Sequence, residues 1–210
     1  DSVLLGRDPM GKLRGKLVID SPSLKRNDRN QSQPDPVFEG PWNVKHNNNN
    51  NSTNTPWAAL CMVAGNEDLY INEWADYHIG LGFGHICVHD NGPNNTLKAF
   101  GKEKDGVQVM HQYHPKEKGV QQTVYNHCVQ SLRKMSRPPR WVMFLDGDEF
   151  LVFRNQSKYT HVTEFLTDHL QEGALQLNWL VFGTANQTKY SPEPVTKRFQ
   201  YRRELPDTNT

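Results

Sequence analysis

At 210 residues the chain has the length of one domain, large enough to bury about 70% of its unfolded surface in a sizeable core. Its 24 Lys and Arg against 23 Asp and Glu give a formal charge of +1 with no basic stripe, which argues against nucleic acid as a partner. Hydrophobic residues are 35% of the chain and mean hydropathy is −0.79, but the polarity is concentrated in residues 1–56.

That first segment is dense in Pro, Asn, Asp and Ser and includes the run Asn47–Asn51, so it is expected to be a stem or linker with little fixed structure. Within it only Lys16–Ile19 suits a short strand. From Trp57 a regular alternation begins, and residues 57–210 are read as one α/β domain. Ala58–Ala64 is an apolar run suited to a strand buried on both faces. Asn66 and Glu67 follow it. A helix is predicted over Asp68–Leu81, with Ile71, Trp74, His78 and Leu81 on one face, ended by Gly82-Phe83-Gly84. His85–His89 is a second strand, running into the turn signal Asp90-Asn91-Gly92. Asn94 to Glu103 is a weak helix candidate, and Val107–Tyr113 is a third strand.

Helical spacing of Val120, Val124, Cys128, Leu132 and Met135 predicts a longer helix from about Lys118 to Met135. Pro138-Pro139 separates it from a fourth strand, Trp141–Leu145, which feeds directly into Asp146-Gly147-Asp148-Glu149. A strand over Phe150–Phe153, a helix over Val162–Leu170 and a strand over Leu175–Phe182 complete the series. Such βαβ repetition gives a parallel sheet with helices on both faces.

In open α/β sheets, ligands bind beyond the carboxyl ends of the strands, where the strand order reverses. The acidic and amide residues of this chain fall at those ends: Asn66 and Glu67, Asp90 and Asn91, then Asp146, Asp148 and Glu149. If the four strands from Ala58 onward lie in the order 3-2-1-4, the first and fourth flank the reversal and their polar ends meet. Asp146 and Asp148 then suit a hard divalent cation, Mn²⁺ or Mg²⁺, bridging protein carboxylates to a diphosphate. Gly147 lets the backbone approach closely. Alone, Asp-x-Asp is a weak signal, since Asp and Gly are also common turn formers; its place after a buried strand gives it weight.

Asp90 has two readings, an acceptor for a base imide N–H or a turn residue before Gly92. Glu67 is equally suited to the first turn of a helix, where the dipole favours it. Trp74 and Trp141 read as core. His78, His85, His89, His111 and His114 lack the spacing of a helical zinc site. Cys61, Cys87 and Cys128 sit in apolar segments and are expected to be buried free thiols. Sequons at Asn30, Asn50, Asn51, Asn94, Asn155 and Asn186 give weak support to a lumenal setting. The longest apolar stretch, Trp57–Ala64, is far short of the ~20 residues a membrane-spanning helix needs. The chain begins without Met and stops in the polar segment Leu205–Thr210, so it is expected to be a fragment, with room for a membrane anchor upstream.

Several stretches resemble glycosyltransferase family 92, the DUF23 proteins, relatives of the family 2 glycosyltransferases. They are Cys61 to Glu67, Glu73-Trp74, Tyr77-His78, Gly82 with His85, and Asp90-Asn91-Gly92; then Gln122, Tyr125 and Cys128; then Trp141 to Phe150; and Leu177-Asn178-Trp179 with Phe182-Gly183. The match covers roughly residues 57–203 in order, departing at Ala64-Gly65 and at Gly92-Pro93. The resemblance implies a GT-A (Rossmann-like) fold incomplete at the C-terminus, a UDP-sugar donor, often UDP-galactose, and Mn²⁺ on the Asp-x-Asp pair. It also implies inverting transfer of a hexose to a glycan acceptor by a Golgi-type, membrane-anchored enzyme working on the lumenal side. Asn66, Glu67 and Asp90 would line the nucleoside pocket, and Asn178 and Trp179 would lie towards the acceptor.

An inverting transfer needs a carboxylate to take the acceptor proton. Glu149 is the weak candidate, Glu193 is not favoured, and the base stays unassigned. The alternative function is a non-catalytic carbohydrate-binding protein of the same fold. A phosphatase of the haloacid-dehalogenase kind fits poorly, because its Asp-x-Asp follows the first strand rather than the fourth.

Overall fold

The computed structural model describes residues 15–19, 57–65, 67–92, 97, 108–113, 120–153, 158–184 and 189–201. In chain order these form β1 (Gly15–Ile19), β2 (Ala58–Ala64), α1 (Ile71–Gly80), β3 (His85–Asp90), β4 (Gln108–Tyr113), α2 (Val120–Arg133), β5 (Trp141–Phe144), β6 (Phe150–Phe153), α3 (Val162–His169), β7 (Asn178–Val181) and α4 (Val195–Arg198). The helix proposed over Asn94 to Glu103 falls outside the described residues except for Leu97, as do all six sequons. Among the described residues no helix is long and apolar enough to cross a membrane.

A parallel four-stranded sheet has the order β4-β3-β2-β5, which is the reversal that the strand-end reasoning assumed. Its register sets Ala64 opposite Asp90 and Cys61 opposite Phe144, so the carboxyl ends of β2, β3 and β5 share one rim.

One expectation about the sheet is corrected. The βαβ series does not continue into one sheet: β6 and β7 leave the parallel sheet and flank β1 in a second sheet of order β6-β1-β7. β1 runs parallel to β6 and antiparallel to β7. The short strand expected at Lys16–Ile19 is present as Gly15–Ile19 and is the central strand of that sheet.

Side-chain alternation on β2 divides the core. Ala58, Leu60, Met62 and Ala64 join a large cluster with Trp74, Tyr77, Phe83 and Phe150, while Ala59 and Cys61 face Cys87, Cys128 and Leu132 of a smaller one. The expectation of three free thiols is also corrected. Cys61 and Cys128 form a disulfide with Cα atoms 6.3 Å apart, tying β2 to α2, and only Cys87 is a free thiol. Burial on one sheet face brought the three sulfurs together, which spacing along the chain does not reveal.

α1 and β6 are joined through polar atoms inside the large cluster. The Tyr77 hydroxyl donates to Leu151 O at 2.8 Å. His78, fully buried, has Nδ1 2.8 Å from Trp74 O, and its Nε2 accepts from Leu151 N–H at 3.4 Å. Those partners fit the neutral ring with its proton on Nδ1, and a proton on Nε2 would face another donor. Burial accordingly lowers the His78 pKa to about 3. Both folded and unfolded states hold His78 neutral above about 6.5, so its contribution is intact there; below that the unfolded chain takes up the proton and the folded one does not. Stability is expected to fall as pH drops from about 6.5 towards about 3, by up to about 1.4 kcal/mol per pH unit from this residue. Urea midpoints of the wild type and His78→Leu across that window check this: the difference between them should shrink as pH falls, and a constant difference would contradict it.

The exit from α1 depends on Gly82, at φ +95°. A Cβ there would overlap the His161 ring, whose Nδ1 accepts from Thr163 N–H and caps α3. Glu73, on α1, caps the far end of the chain: its carboxylate accepts from Val195 N–H at 2.8 Å and Thr196 N–H at 3.3 Å at the start of α4.

Candidate functional site

β5 ends at Phe144, and buried Leu145 and buried Phe150 anchor the two sides of the loop Asp146-Gly147-Asp148-Glu149 in the core. Apolar anchors so close together force the polar side chains between them to the rim of the sheet. Leu145 N–H donates to Cys61 O at 3.2 Å, continuing the pairing beyond β5 and holding the loop beside β2. The loop is closed on itself by two bonds: Glu149 N–H to Asp146 O at 3.1 Å, and Asp146 N–H to Glu149 Oε2 at 3.0 Å. Trp74 Nε1–H donates to Glu149 O at 2.8 Å from below.

Glu67 reaches the same place from the end of β2. Its carbonyl accepts from Tyr70 N–H and Ile71 N–H, which begins the turn into α1, and its carboxylate accepts from Gly65 N–H. The side chain lies directly over Gly147. A Cβ on Gly147 would fall 2.5 Å from Met62 Cε and 2.6 Å from Glu67 Cγ, so glycine is what allows this approach.

Four carboxylates thus gather from two segments that lie far apart in sequence: Glu67, Asp146, Asp148 and Glu149. Burial, followed by the charges of Asp146 and Asp148, pushes Glu149 up to about 7, against the pull of the Asp146 N–H. Burial is also the largest cause at Glu67, where Asp148 and Asp146 add to it and the Gly65 N–H opposes; the net shift is upward. Such repulsion is what a divalent cation relieves, and an all-oxygen donor set suits Mn²⁺ or Mg²⁺ rather than a soft metal. By donor type these residues suit a hard divalent cation.

Of the other expected residues, Asp90 and Asn91 shape the loop after β3, and the rest lie on other elements or outside the described structure. Asp90 is buried at the end of β3, and its oxygens accept from Gly92 N–H at 2.7 Å and Leu97 N–H at 3.0 Å, so it organises its own loop. Asn91 N–H donates to Ala64 O at 2.7 Å and joins that loop to the end of β2. Asn66 is outside the described residues. Asn178 and Trp179 belong to β7 in the second sheet, and their side chains are not among those described. Glu193 is exposed in the turn before α4.

An apolar groove of about 400 Å³ lies along β5, lined by Leu132, Trp141, Met143, Phe165 and Leu170 among others. It holds none of the four carboxylates and lacks the converging polar groups of a ligand site, so the acidic rim is the better candidate. The contact of Trp74 with the candidate site is what periodicity missed. The residue's position on the buried face of α1 marked it as core, which it is, but nothing in the spacing reveals that its indole N–H holds the Glu149 carbonyl.

A glycosyltransferase family 92 protein of Oryza sativa subsp. japonica is 24% identical to the chain over 179 residues. The chain resembles glycosyltransferase family 92. The alignment takes in 84% of this chain, which spans only 28% of that relative's length. No protein-family model matches the chain, and no solved structure matches it.

Proposed function

We propose that the protein is a metal-dependent glycosyltransferase of GT-A architecture that moves a hexose, with galactose the first candidate, from a UDP-sugar to a glycan acceptor with inversion. The observation that carries this reading is the convergence of Glu67, Asp146, Asp148 and Glu149 at one rim of a parallel sheet. The resemblance to a glycosyltransferase family 92 protein supports the same class.

Asp146 and Asp148 would hold Mn²⁺ or Mg²⁺. When bound, the cation supplies charge neutralisation to the departing nucleoside diphosphate. Glu149 acts on the protein side of the site, because its carboxylate is turned back onto Asp146 N–H and fixes the loop. That bond favours Glu149 as a positioning residue over a general base. Glu67 closes the site from the β2 side. Asp90 keeps the neighbouring loop in shape, where Asn66 and Asn91 would approach the nucleoside. A lumenal, secretory-pathway setting is supported by the Cys61–Cys128 disulfide, since such bonds persist in oxidising compartments.

A donor screen tests the proposal: the protein is incubated with Mn²⁺ and a panel of nucleotide sugars while UDP and GDP release is followed. UDP release from one UDP-sugar, abolished by a chelator, is the expected result. Binding of donor without release or transfer would favour the non-catalytic carbohydrate-binding alternative, and absence of both would overturn the reading.

A further inference from the structure

Away from the acidic rim, on the sheet face that α2 covers, four ligand-bearing side chains meet. Cys61 and Cys87 are register partners on β2 and β3, His89 lies two residues further along the same face of β3, and Cys128 descends from α2. All four are buried. Cys87 Sγ is 3.0 Å from His89 Nε2, and the ligand atoms of Cys87, His89 and Cys128 all lie within 4.8 Å of one another. Cys61 Sγ adjoins them through its bond to Cys128.

Three sulfurs and one imidazole nitrogen are the donor set of a closed structural zinc site. With Zn–S about 2.3 Å and Zn–N about 2.0–2.1 Å, tetrahedral geometry separates neighbouring donor atoms by roughly 3.5–3.8 Å. Cys87, His89 and Cys128 already bring their ligand atoms within 4.8 Å of one another, and Cys61 is tethered beside them through Cys128, so reduction of that bond leaves a fourth sulfur free to turn towards the ion. We propose that, when the Cys61–Cys128 bond is reduced, Cys61, Cys87, Cys128 and His89 bind one Zn²⁺.

The step balances as follows. The Cys61–Cys128 S–S bond breaks as a reductant gives it two electrons and two protons: two thiols are oxidised to a disulfide, or a phosphine and water become a phosphine oxide. Zn²⁺ then displaces three thiol protons and takes the lone pair of neutral His89. Disulfide and metal are mutually exclusive at Cys61 and Cys128, so the redox state of the compartment selects one form. Without a cation, burial pushes the Cys87 thiol up to about 12, so the thiol stays protonated; a bound metal reverses that balance. The sulfur-rich set also separates this site from the hard, all-oxygen rim.

The test uses the full 210-residue chain, reduced by a phosphine under anaerobic conditions and titrated with Co²⁺ as a spectroscopic stand-in for zinc. The expected result is one equivalent of thiolate-bound Co²⁺, read from thiolate-to-cobalt charge transfer and the intense visible bands of a tetrahedral ion, and displaced by Zn²⁺; an ion on the all-oxygen rim gives no such charge-transfer band. Asp148→Ala should leave this spectrum unchanged, which separates it from the proposed transferase site. Cys87→Ser and His89→Gln should weaken binding by more than the roughly 10–100-fold that loss of an outer hydrogen-bonding partner costs. Should those variants fail to fold, reduced and oxidised wild type still decide the matter. A thiolate band in the reduced form alone supports the proposal, and its absence there, or equal uptake by the oxidised form, overturns it.

Discussion

Asp148→Ala is expected to lower Mn²⁺-dependent UDP release by roughly a thousandfold, the equivalent of several kcal/mol of transition-state charge stabilisation lost with the cation. The same change should leave the metal-free protein at least as stable as the wild type. Asp148 raises the pKa of both Glu67 and Glu149, so removing its charge relieves repulsion in a half-buried cluster. Activity and stability thus move in opposite directions, as expected of a site whose side chains are held for binding rather than for folding. Thermal melts with and without Mn²⁺ provide the second check. At a free Mn²⁺ concentration a hundred times its dissociation constant, the wild type should gain about 2.7 kcal/mol and the variant nothing. A variant less stable without metal, yet equally stabilised by it, would contradict the role given to Asp148.

The second large effect falls on Trp74. Its side chain is fully buried between α1 and the loop after β5, and its indole N–H holds Glu149 O at 2.8 Å. Trp74→Ala is expected to cost about 3–5 kcal/mol, a large share of the total stability of a domain this size. Trp74→Phe divides that loss. The phenyl ring keeps much of the apolar contact but leaves the Glu149 carbonyl without its donor, at about 1–3 kcal/mol. Urea unfolding gives both numbers. In the Phe variant, Mn²⁺ should also bind more weakly, since the bonds between Asp146 and Glu149 lose their support from below. Unchanged stability and metal affinity in Trp74→Phe would show that the indole bond contributes nothing.

The parallel sheet was legible because each of its strands carries a local signal. β2, β3 and β5 are short apolar runs whose ends are marked by polar residues, and α1 and α2 have clear helical spacing. The rim followed from the same signals once the order β4-β3-β2-β5 was assumed. What was not legible depends on contacts between distant segments. β1 was marked as a short run suited to a strand, Lys16–Ile19, but its place between β6 and β7 depends on partners far away in sequence. The Cys61–Cys128 bond needs the register of β2 with β3 and the rotation of α2, neither of which is written in the spacing of three cysteines. Glu149 was recognised as an acidic neighbour of the Asp-x-Asp pair, but its carboxylate turning back onto Asp146 N–H is a matter of loop geometry. Asp90 had two readings of equal standing in the sequence, and its bonds to Gly92 and Leu97 belong to the turn reading.

The most direct measurement is an electron paramagnetic resonance titration of the chain with Mn²⁺, with and without UDP, since bound Mn²⁺ loses the sharp signal of the free ion. Mn²⁺ should be taken up at one ion per chain, more tightly when UDP is present, and the uptake should vanish in Asp146→Ala and Asp148→Ala. A free-ion signal that persists at every ratio, or uptake that survives both substitutions, would mean that the acidic rim is not a metal centre.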